Sequence, residues 1–335
     1  MAIRSPPRLD WAPGDSAIVS YRNRLVQLHG ADGRATRELA SERIYDVRWR
    51  DDGQIVVLDD RGSVTFDRTG ALVQQTHFRI DVGRAPHAAS MSANGDRYVA
   101  LGEAEVFAVH LEGEEPQRIW TLHAQSYGMS LGERGYRTSS TRVGIEMSPD
   151  GRLVAIGYPG GGRSWIVIEV DTDRFLQRST IRFDAARKWS GRDSPAAEGS
   201  TGGKANAPQL FAFDFAGTRL AHAVPDPGMC WGVTRLEVED REFARVVPGG
   251  AHAVALDRGG LLAAYAYAKP PEGARGRLRI DYLSPAAEGS ATVEMIDTLS
   301  IEPELPDVIA LAFSRDSRQL ACLASTGAIE IVPTP

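Results

Sequence analysis

A short phrase that recurs seven times constrains this chain more than any other feature. In each copy an apolar residue is followed by a small or polar residue, two turn-forming residues and then glycine or a substitute, and an apolar stretch comes next. The copies begin about 40 to 65 residues apart. They are Trp11–Asp15, Trp49–Gly53, Met91–Gly95, Met147–Gly151, Phe213–Gly217, Leu256–Gly260 and Phe313–Ser317. This spacing is too long for leucine-rich or ankyrin repeats and suits units of four short strands.

The phrase itself predicts a β-hairpin, because Asp-Gly and Asn-Gly supply the positive φ angles of a tight turn. Strands are predicted directly after the turns at Gln54–Leu58, Arg97–Leu101, Leu153–Gly157 and Gln319–Leu323. Third strands are predicted at Ser63–Phe66, Val106–His110, Trp165–Glu169, Leu278–Tyr282 and Ile329–Val332, and weaker fourth strands at Leu72–Gln75 and Phe175–Arg178. No segment has sustained helical periodicity with caps. Four antiparallel strands repeated seven times predict an all-β fold, a single seven-bladed β-propeller.

The clearest copy, Met147–Leu153, resembles the first hairpin of WD-repeat propellers and of WD-like bacterial propellers. The resemblance covers essentially the whole chain, although the Gly-His and Trp-Asp dipeptides of strict WD repeats are absent. It implies that an N-terminal strand completes the last blade, so we expect Met1–Ser5 to pair beside Ile329–Val332. Closing the ring in this way removes a sheet edge that invites aggregation.

A single propeller also explains the length of 335 residues, because single compact cores stop growing at roughly 250–300 residues. The composition, 42% hydrophobic and 24% charged, is that of a globular chain. The predicted blades span residues 6–40, 41–80, 84–121, 141–182, 208–248, 250–299 and 307–335, with 1–5 added to the last.

The predicted loops differ in length between the two faces of the propeller. Turns between first and second strands and between third and fourth strands share one face and are nearly all short. The opposite face, here called the long-loop face, holds the blade-to-blade links and the turns between second and third strands. Its longest segments are Thr121–Arg142, Arg182–Pro208, Leu299–Asp307, Pro159–Arg163, Pro225–Trp231 and Lys269–Arg277. Long loops on a rigid scaffold are usually functional or disordered.

The long-loop face is rich in the residue types that dominate binding hot spots, Arg, Tyr and Trp. The links Thr121–Arg142 and Arg182–Pro208 each carry a net charge of +2, whereas the whole chain carries −6. We therefore predict a non-catalytic scaffold that binds a partner protein with an acidic surface. The predicted contact residues are Tyr127, Arg134, Tyr136, Arg137, Arg163, Arg187, Trp189, Arg192 and Trp231. The alternative is solvated loops with tryptophan packed beneath them, and the Gly/Ser/Ala-rich Gly191–Ala207 is compatible with disorder in isolation.

Two apparent catalytic motifs lack the structural context that their chemistry requires. Gly157–Ser164 is close to a phosphate-binding loop, but a strand, Trp165–Glu169, follows it where a helix is required. Gly128–Gly132 matches a nucleophile elbow, which needs a strand-to-helix turn that neither flank provides.

Metal and nucleic-acid binding are the remaining alternatives. His87, His123 and His252 form no pair with ligand spacing, so no metal or other cofactor is predicted. A lactonase-like hydrolase with a metal in the central channel stays as the second hypothesis, with Asp46 and Asn206 as possible ligands. Nucleic-acid binding through the basic loops is the third, and the negative net charge argues against it. No small-molecule substrate is evident.

The remaining features favour a cytoplasmic protein without a membrane segment. The two cysteines, Cys230 and Cys322, cannot form a disulfide framework, and the N-terminus lacks the apolar core of a signal peptide. No apolar run approaches the roughly 18 residues of a membrane span. The Ala/Arg/Gly-rich composition is compatible with a GC-rich bacterial genome, and the resemblance implies a place in a bacterial multiprotein complex, because some WD-like bacterial propellers are partners of ATPase and adhesion-domain proteins.

Overall fold

The phrase folds as the same tight turn in all seven copies. In each, the backbone amide of the fifth residue donates to the carbonyl of the second, as from Gly151 to Ser148 at 2.9 Å and from Gly260 to Asp257 at 3.0 Å. The fifth residue always has a positive φ, between +54° at Asp15 and +83° at Gly53. Ser317 adopts +61° without being glycine. Each turn therefore reverses the chain over the same five residues between two strands.

A computed structural model of the chain describes residues 7–22, 24–40, 44–77, 88–101, 105–110, 117–121, 144–157, 165–170, 210–223, 231–235, 251–267, 276–285 and 295–334. These residues form 25 strands in seven antiparallel sheets. The described part of the chain contains no helix of the length and apolarity that crossing a membrane requires.

The first three sheets along the chain have four described strands each, paired in chain order. The first contains β1 (Arg8–Trp11), β2 (Ala17–Arg22), β3 (Leu25–Gly30) and β4 (Ala35–Ala40). The second contains β5 (Ile44–Trp49), β6 (Ile55–Asp59), β7 (Gly62–Phe66) and β8 (Leu72–His77). The third contains β9 (Ala88–Met91), β10 (Arg97–Leu101), β11 (Glu105–His110) and β12 (Gln117–Thr121).

The other four sheets follow the same order along the chain. Three of them have three described strands: β13 (Gly144–Met147), β14 (Leu153–Gly157) and β15 (Trp165–Glu169); β16 (Leu210–Phe213), β17 (Arg219–Ala223) and β18 (Trp231–Arg235); and β23 (Val308–Phe313), β24 (Gln319–Ala324) and β25 (Ile329–Pro333). The sixth sheet has four, β19 (Ala251–Leu256), β20 (Leu262–Tyr267), β21 (Leu278–Leu283) and β22 (Met295–Ile301).

The first strands of the seven sheets form a closed ring. In the order β1, β5, β9, β13, β16, β19 and β23, each contacts the next, and β23 contacts β1. The sheets therefore stand around a central axis with their first strands innermost, which is the geometry of a β-propeller, and each described sheet is one blade. The predicted all-β propeller fold is confirmed.

The core consists of the interfaces between neighbouring blades. Between the seventh and first blades, Trp11, Leu9 and Ile18 pack against Ala321 and Leu323. Between the sixth and seventh, small alanines of β19 and β20 pack against larger side chains such as Leu311 and Leu320. Every blade therefore packs against both of its neighbours around the ring.

Most predicted strands agree with the structure to within one or two residues, and β10, β14 and β15 have the predicted bounds. The sixth blade, predicted to end at Leu299 with the link Leu299–Asp307 following it, ends two residues later. Strand β22 extends through Ile301, because Leu299 and Ile301 pack against the core between the sixth and seventh blades. Met1–Ser5 and Phe175–Arg178 lie outside the described residues, so the strand assigned to each stays a prediction.

Candidate functional site

The seven first strands surround a central channel, and the described residues enclose a cavity of about 250 Å³ there. Every blade contributes to its wall. Residues at the starts of first strands, such as Pro7 and His252, line one end. Residues of the five-residue turns, such as Asp51 and Arg258, line the other. The cavity therefore lies on the axis between the two faces of the propeller.

One position on each first strand changes in character around the ring, and on six of the seven blades the residue there lines the cavity. It is the residue directly before the repeated phrase, here called the belt position. On the first four blades it is charged or polar: Asp10, Arg48, Ser90 and Glu146. On the last three it is alanine: Ala212, Ala255 and Ala312. The channel wall is consequently charged on one side and apolar on the other.

The charged side is a cluster of two arginines and two carboxylates. Glu146 accepts hydrogen bonds from Arg8 and from Arg48, the latter at 2.7 Å. Asp46, which is fully buried, lies 3.4 Å from Arg8 Nε and 3.3 Å from Arg48 Nη2. The four side chains come from three different blades, so the cluster bridges the channel.

Three side chains at or near the belt position also accept hydrogen bonds from the backbone of the following blade. Asp10 accepts from the Trp49 amide at 2.7 Å and Asp46 from the Met91 amide at 3.0 Å. Ser90 Oγ accepts from the Met147 amide at 3.0 Å. Each bond satisfies a buried amide that would otherwise lack a partner, so these side chains fix the spacing of the first four blades.

Burial and charge act in opposite directions on the ionisable groups of the cluster. Burial alone would lower the pKa of Arg48, but the nearby carboxylates of Asp46, Glu146 and Asp10 outweigh it and raise that pKa above its usual value. Burial raises the pKa of Asp10, and the Arg48 guanidinium and the Trp49 amide oppose that rise only in part. Arg48 is therefore charged at any physiological pH, whereas the charge of Asp10 is disfavoured.

At the short-turn end of the channel, Arg315 connects three blades. Its Nε donates to the Trp11 carbonyl at 3.2 Å and its Nη2 to the Trp49 carbonyl at 3.3 Å, and its Nη1 binds Asp51. Its backbone amide donates to Asp15 at 2.7 Å. Nearby, the Arg258 guanidinium lies 3.8 Å from the centre of the Phe215 ring. The Arg315 contacts hold the seventh blade to the first two.

The predicted contact residues on the long-loop face fall almost entirely outside the described residues. This applies to Tyr127, Arg134, Tyr136, Arg137, Arg163, Arg187, Trp189 and Arg192. Trp231 is the first residue of strand β18, directly after the connection between the second and third strands of the fifth blade. Those assignments stay predictions.

The channel cluster was missed from the sequence, although a signal for it exists. Aligning the seven phrases and looking one residue upstream gives Asp10, Arg48, Ser90 and Glu146 followed by three alanines. Arg8 and Asp46 come two residues before those belt positions. A change from charged or polar residues to alanine at this innermost position indicates a channel wall that is polar on one side and apolar on the other.

The residues considered for a metal have different placements. His252 is exposed and lines the channel cavity, whereas His87, His123 and Asn206 lie outside the described residues. Asp46 is fully buried and does not line the cavity, and its two carboxylate oxygens already accept the Val47 and Met91 amides and face two guanidiniums. Within the described ranges no group of three His, Cys, Asp or Glu side chains could hold a metal ion.

Solved structures with a similar fold show which class of fold this is. The Neurospora crassa Pan2 WD40 domain is similar at 11% identity, over 99% of this chain and 89% of that one, with a TM-score of 0.58. A chain of the mitotic checkpoint complex is similar at 14% identity, over 97% and 88%, with a TM-score of 0.59. Hydrazine synthase from Kuenenia stuttgartiensis is similar at 14% identity, over 100% and 97%, with a TM-score of 0.56.

No protein-family model and no curated protein sequence matches the chain. At identities of 11% to 14% the structural likeness is one of fold. The chain has the fold of the WD-repeat-like β-propellers.

Proposed function

We propose that the chain is a non-catalytic protein-interaction module, and that its long-loop face binds a partner protein with an acidic surface. The observation that carries the proposal is the contrast between the two ends of the blades. All seven connections between first and second strands span five residues and share one hydrogen-bonding pattern. They share one length and one backbone geometry.

The connections at the opposite end differ from one another. Three residues separate β4 from β5, ten separate β8 from β9, and 22 separate β12 from β13. In the blades with four described strands, antiparallel pairing puts the link to the next blade at this end, together with the turn between the second and third strands. Variable segments mounted on a rigid scaffold are where proteins carry binding sites.

The composition of these segments supports a protein partner. Their Arg, Tyr and Trp residues are the types enriched at binding hot spots, and the two longest links are positive in a chain of net charge −6. A positive surface attracts an acidic partner and speeds their encounter. WD-repeat-like folds occur in assemblies, as the similar chain of the mitotic checkpoint complex illustrates.

The test is a capture experiment with a matched control. We expect the double variant Arg137→Glu with Trp189→Ala to lose the partner that the tagged wild-type chain purifies from its native host. The control is Arg318→Glu, because Arg318 is 85% exposed and lies on the short-turn face. Circular dichroism checks that each variant is folded.

Two results would overturn the proposal. In the first, the double variant retains the partner at wild-type stoichiometry, or Arg318→Glu loses it equally. In the second, the purified wild-type chain carries a stoichiometric metal and no partner, which would favour a metal-dependent propeller enzyme.

A further inference from the structure

The second blade ends in an outer strand that carries no charged residue. Strand β8 is the last of its sheet, so one side of its backbone has no neighbouring strand among the described residues. A strand edge of this kind presents a row of N–H and C=O groups that pair readily with another extended chain. Proteins usually prevent such pairing with charged side chains, proline or bulges at the edge.

In this respect β8 differs from the outer strands of the other three blades with four described strands. Strand β4 contains Arg37 and Glu38, β12 contains Arg118, and β22 contains Asp297. The sequence of β8 is Leu-Val-Gln-Gln-Thr-His, without Lys, Arg, Asp, Glu or Pro. Among these four outer strands, β8 is therefore the one whose own sequence does not oppose pairing with a further strand.

The side chains of β8 are open to solvent on both faces of the sheet. Leu72 is 61% exposed and Val73 is 52% exposed, and successive side chains of a strand point to opposite faces. Gln74 and Gln75 are exposed as well. The described part of the chain therefore leaves both faces of this strand largely uncovered, and pairing with a further strand would remove apolar surface from water.

The sequence of β8 is complementary to itself in antiparallel pairing. About a two-fold axis between Gln74 and Gln75, Gln74 of one copy lies opposite Gln75 of the other, and Val73 lies opposite Thr76. Val and Thr are β-branched and pack well on a pleated sheet, glutamine amides both donate and accept hydrogen bonds, and no like charges meet. We propose that two copies of this chain associate through antiparallel pairing of β8 with β8, which joins two four-stranded blades into one continuous sheet.

This contact is independent of the partner surface proposed above, since it lies at the outer edge of a blade and not on the long-loop face. One pair of strands buries less than the roughly 1,200–2,000 Å² of stable protein interfaces, so we expect a weak dimer. Its dissociation constant should be on the order of 100 μM. Sedimentation velocity of the purified full chain, from about 5 μM to about 500 μM, should show a monomer that becomes a dimer.

Two double variants test both the strand and its register. Gln74→Lys with Gln75→Lys places like charges opposite each other, twice because of the two-fold axis, and should weaken the dimer about tenfold. Gln74→Lys with Gln75→Glu places opposite charges in the same positions and should dimerise at least as tightly as the wild type. The control is Ala35→Lys with Glu38→Gln on β4, where both residues are exposed; it changes the net charge as much as the first variant and should dimerise as the wild type does. Circular dichroism checks that each variant is folded.

Three results would overturn the proposal. In the first, the wild-type chain stays monomeric to about 500 μM, which would leave β8 uncovered or available to an extended segment of another protein. In the second, the wild type dimerises and the Lys/Lys variant dimerises equally well, which would place the contact elsewhere. In the third, the Lys/Glu variant dimerises as weakly as the Lys/Lys variant, which would exclude the two-fold register between Gln74 and Gln75.

Discussion

The first four blades and the last three build the same channel by different chemistry. At the belt position the first four place Asp10, Arg48, Ser90 and Glu146. Asp10, Asp46 and Ser90 accept hydrogen bonds from backbone amides of the following blade. The last three place alanines there, which pack against the apolar clusters between neighbouring blades. The same hairpin geometry therefore forms with either a polar residue or alanine at the belt position, because the turn and the strand pairing determine the structure of the blade.

The largest expected effect is at the charged side. Glu146→Ala leaves two largely buried guanidiniums with only Asp46 and Asp10 nearby, and we expect it to lower the free energy of unfolding by about 3 kcal/mol. Urea unfolding followed by circular dichroism measures this. The control is Glu302→Ala, which removes a surface pair with Arg277 where Glu302 is 51% exposed, and it should cost less than about 1 kcal/mol. Equal losses in the two variants would refute the distinction.

The second prediction concerns the pH dependence of stability that arises in one of the last three blades. Burial lowers the pKa of His222, in β17 of the fifth blade, to about 4. Its unfolded pKa is about 6.5, so the native chain binds fewer protons between these values and its stability falls as pH falls through that window. Relative to pH 7, we expect a loss of about 2 kcal/mol at pH 4.5 that His222→Gln does not show. Parallel pH profiles for both proteins would contradict this.

The third effect concerns the junction between the two kinds of blade. Arg315 comes from an apolar blade and binds two carbonyls and Asp51 on the first two blades. Arg315→Ala should cost about 1–2 kcal/mol, because the carbonyls lose charge-assisted bonds. Differential scanning calorimetry measures the loss, and Arg318→Ala, three residues away and 85% exposed, is the control. A variant as stable as its control would show that packing alone holds the junction.

The smallest effect is expected at Asp10, because its amide bonds and the nearby guanidiniums oppose the burial that raises its pKa. In the window between its usual pKa and the raised value, the native chain binds more protons than the unfolded one. Its contribution to stability therefore falls as pH rises through that window, the reverse of His222. The difference in free energy of unfolding between the wild type and Asp10→Asn should become smaller as pH rises. Urea midpoints at pH 3.5 and 6 measure the gap, and a widening gap would reject the assignment.

The sequence predicted what depends on neighbours along the chain. The phrase fixes the turn because five adjacent residues determine its hydrogen bonds, and even Ser317 in place of glycine adopts the expected left-handed backbone. Glu146 and Arg8 are 138 positions apart, and only closure of the ring brings them together. The channel cluster could not be located before the ring was known, although the uneven belt residues were visible in the seven aligned phrases.

The bond between the Trp11 indole and the Ala312 carbonyl has a consequence for folding kinetics. It joins residues 301 positions apart, and the Arg315 bond to Trp11 joins residues 304 apart. Closing so long a loop costs conformational entropy, so we expect the seventh blade to meet the first after the individual blades have formed. A circular permutant that links residue 335 to residue 1 and begins at the link between β8 and β9 would make this junction local, and should move the slow step of folding to the contact between the second and third blades.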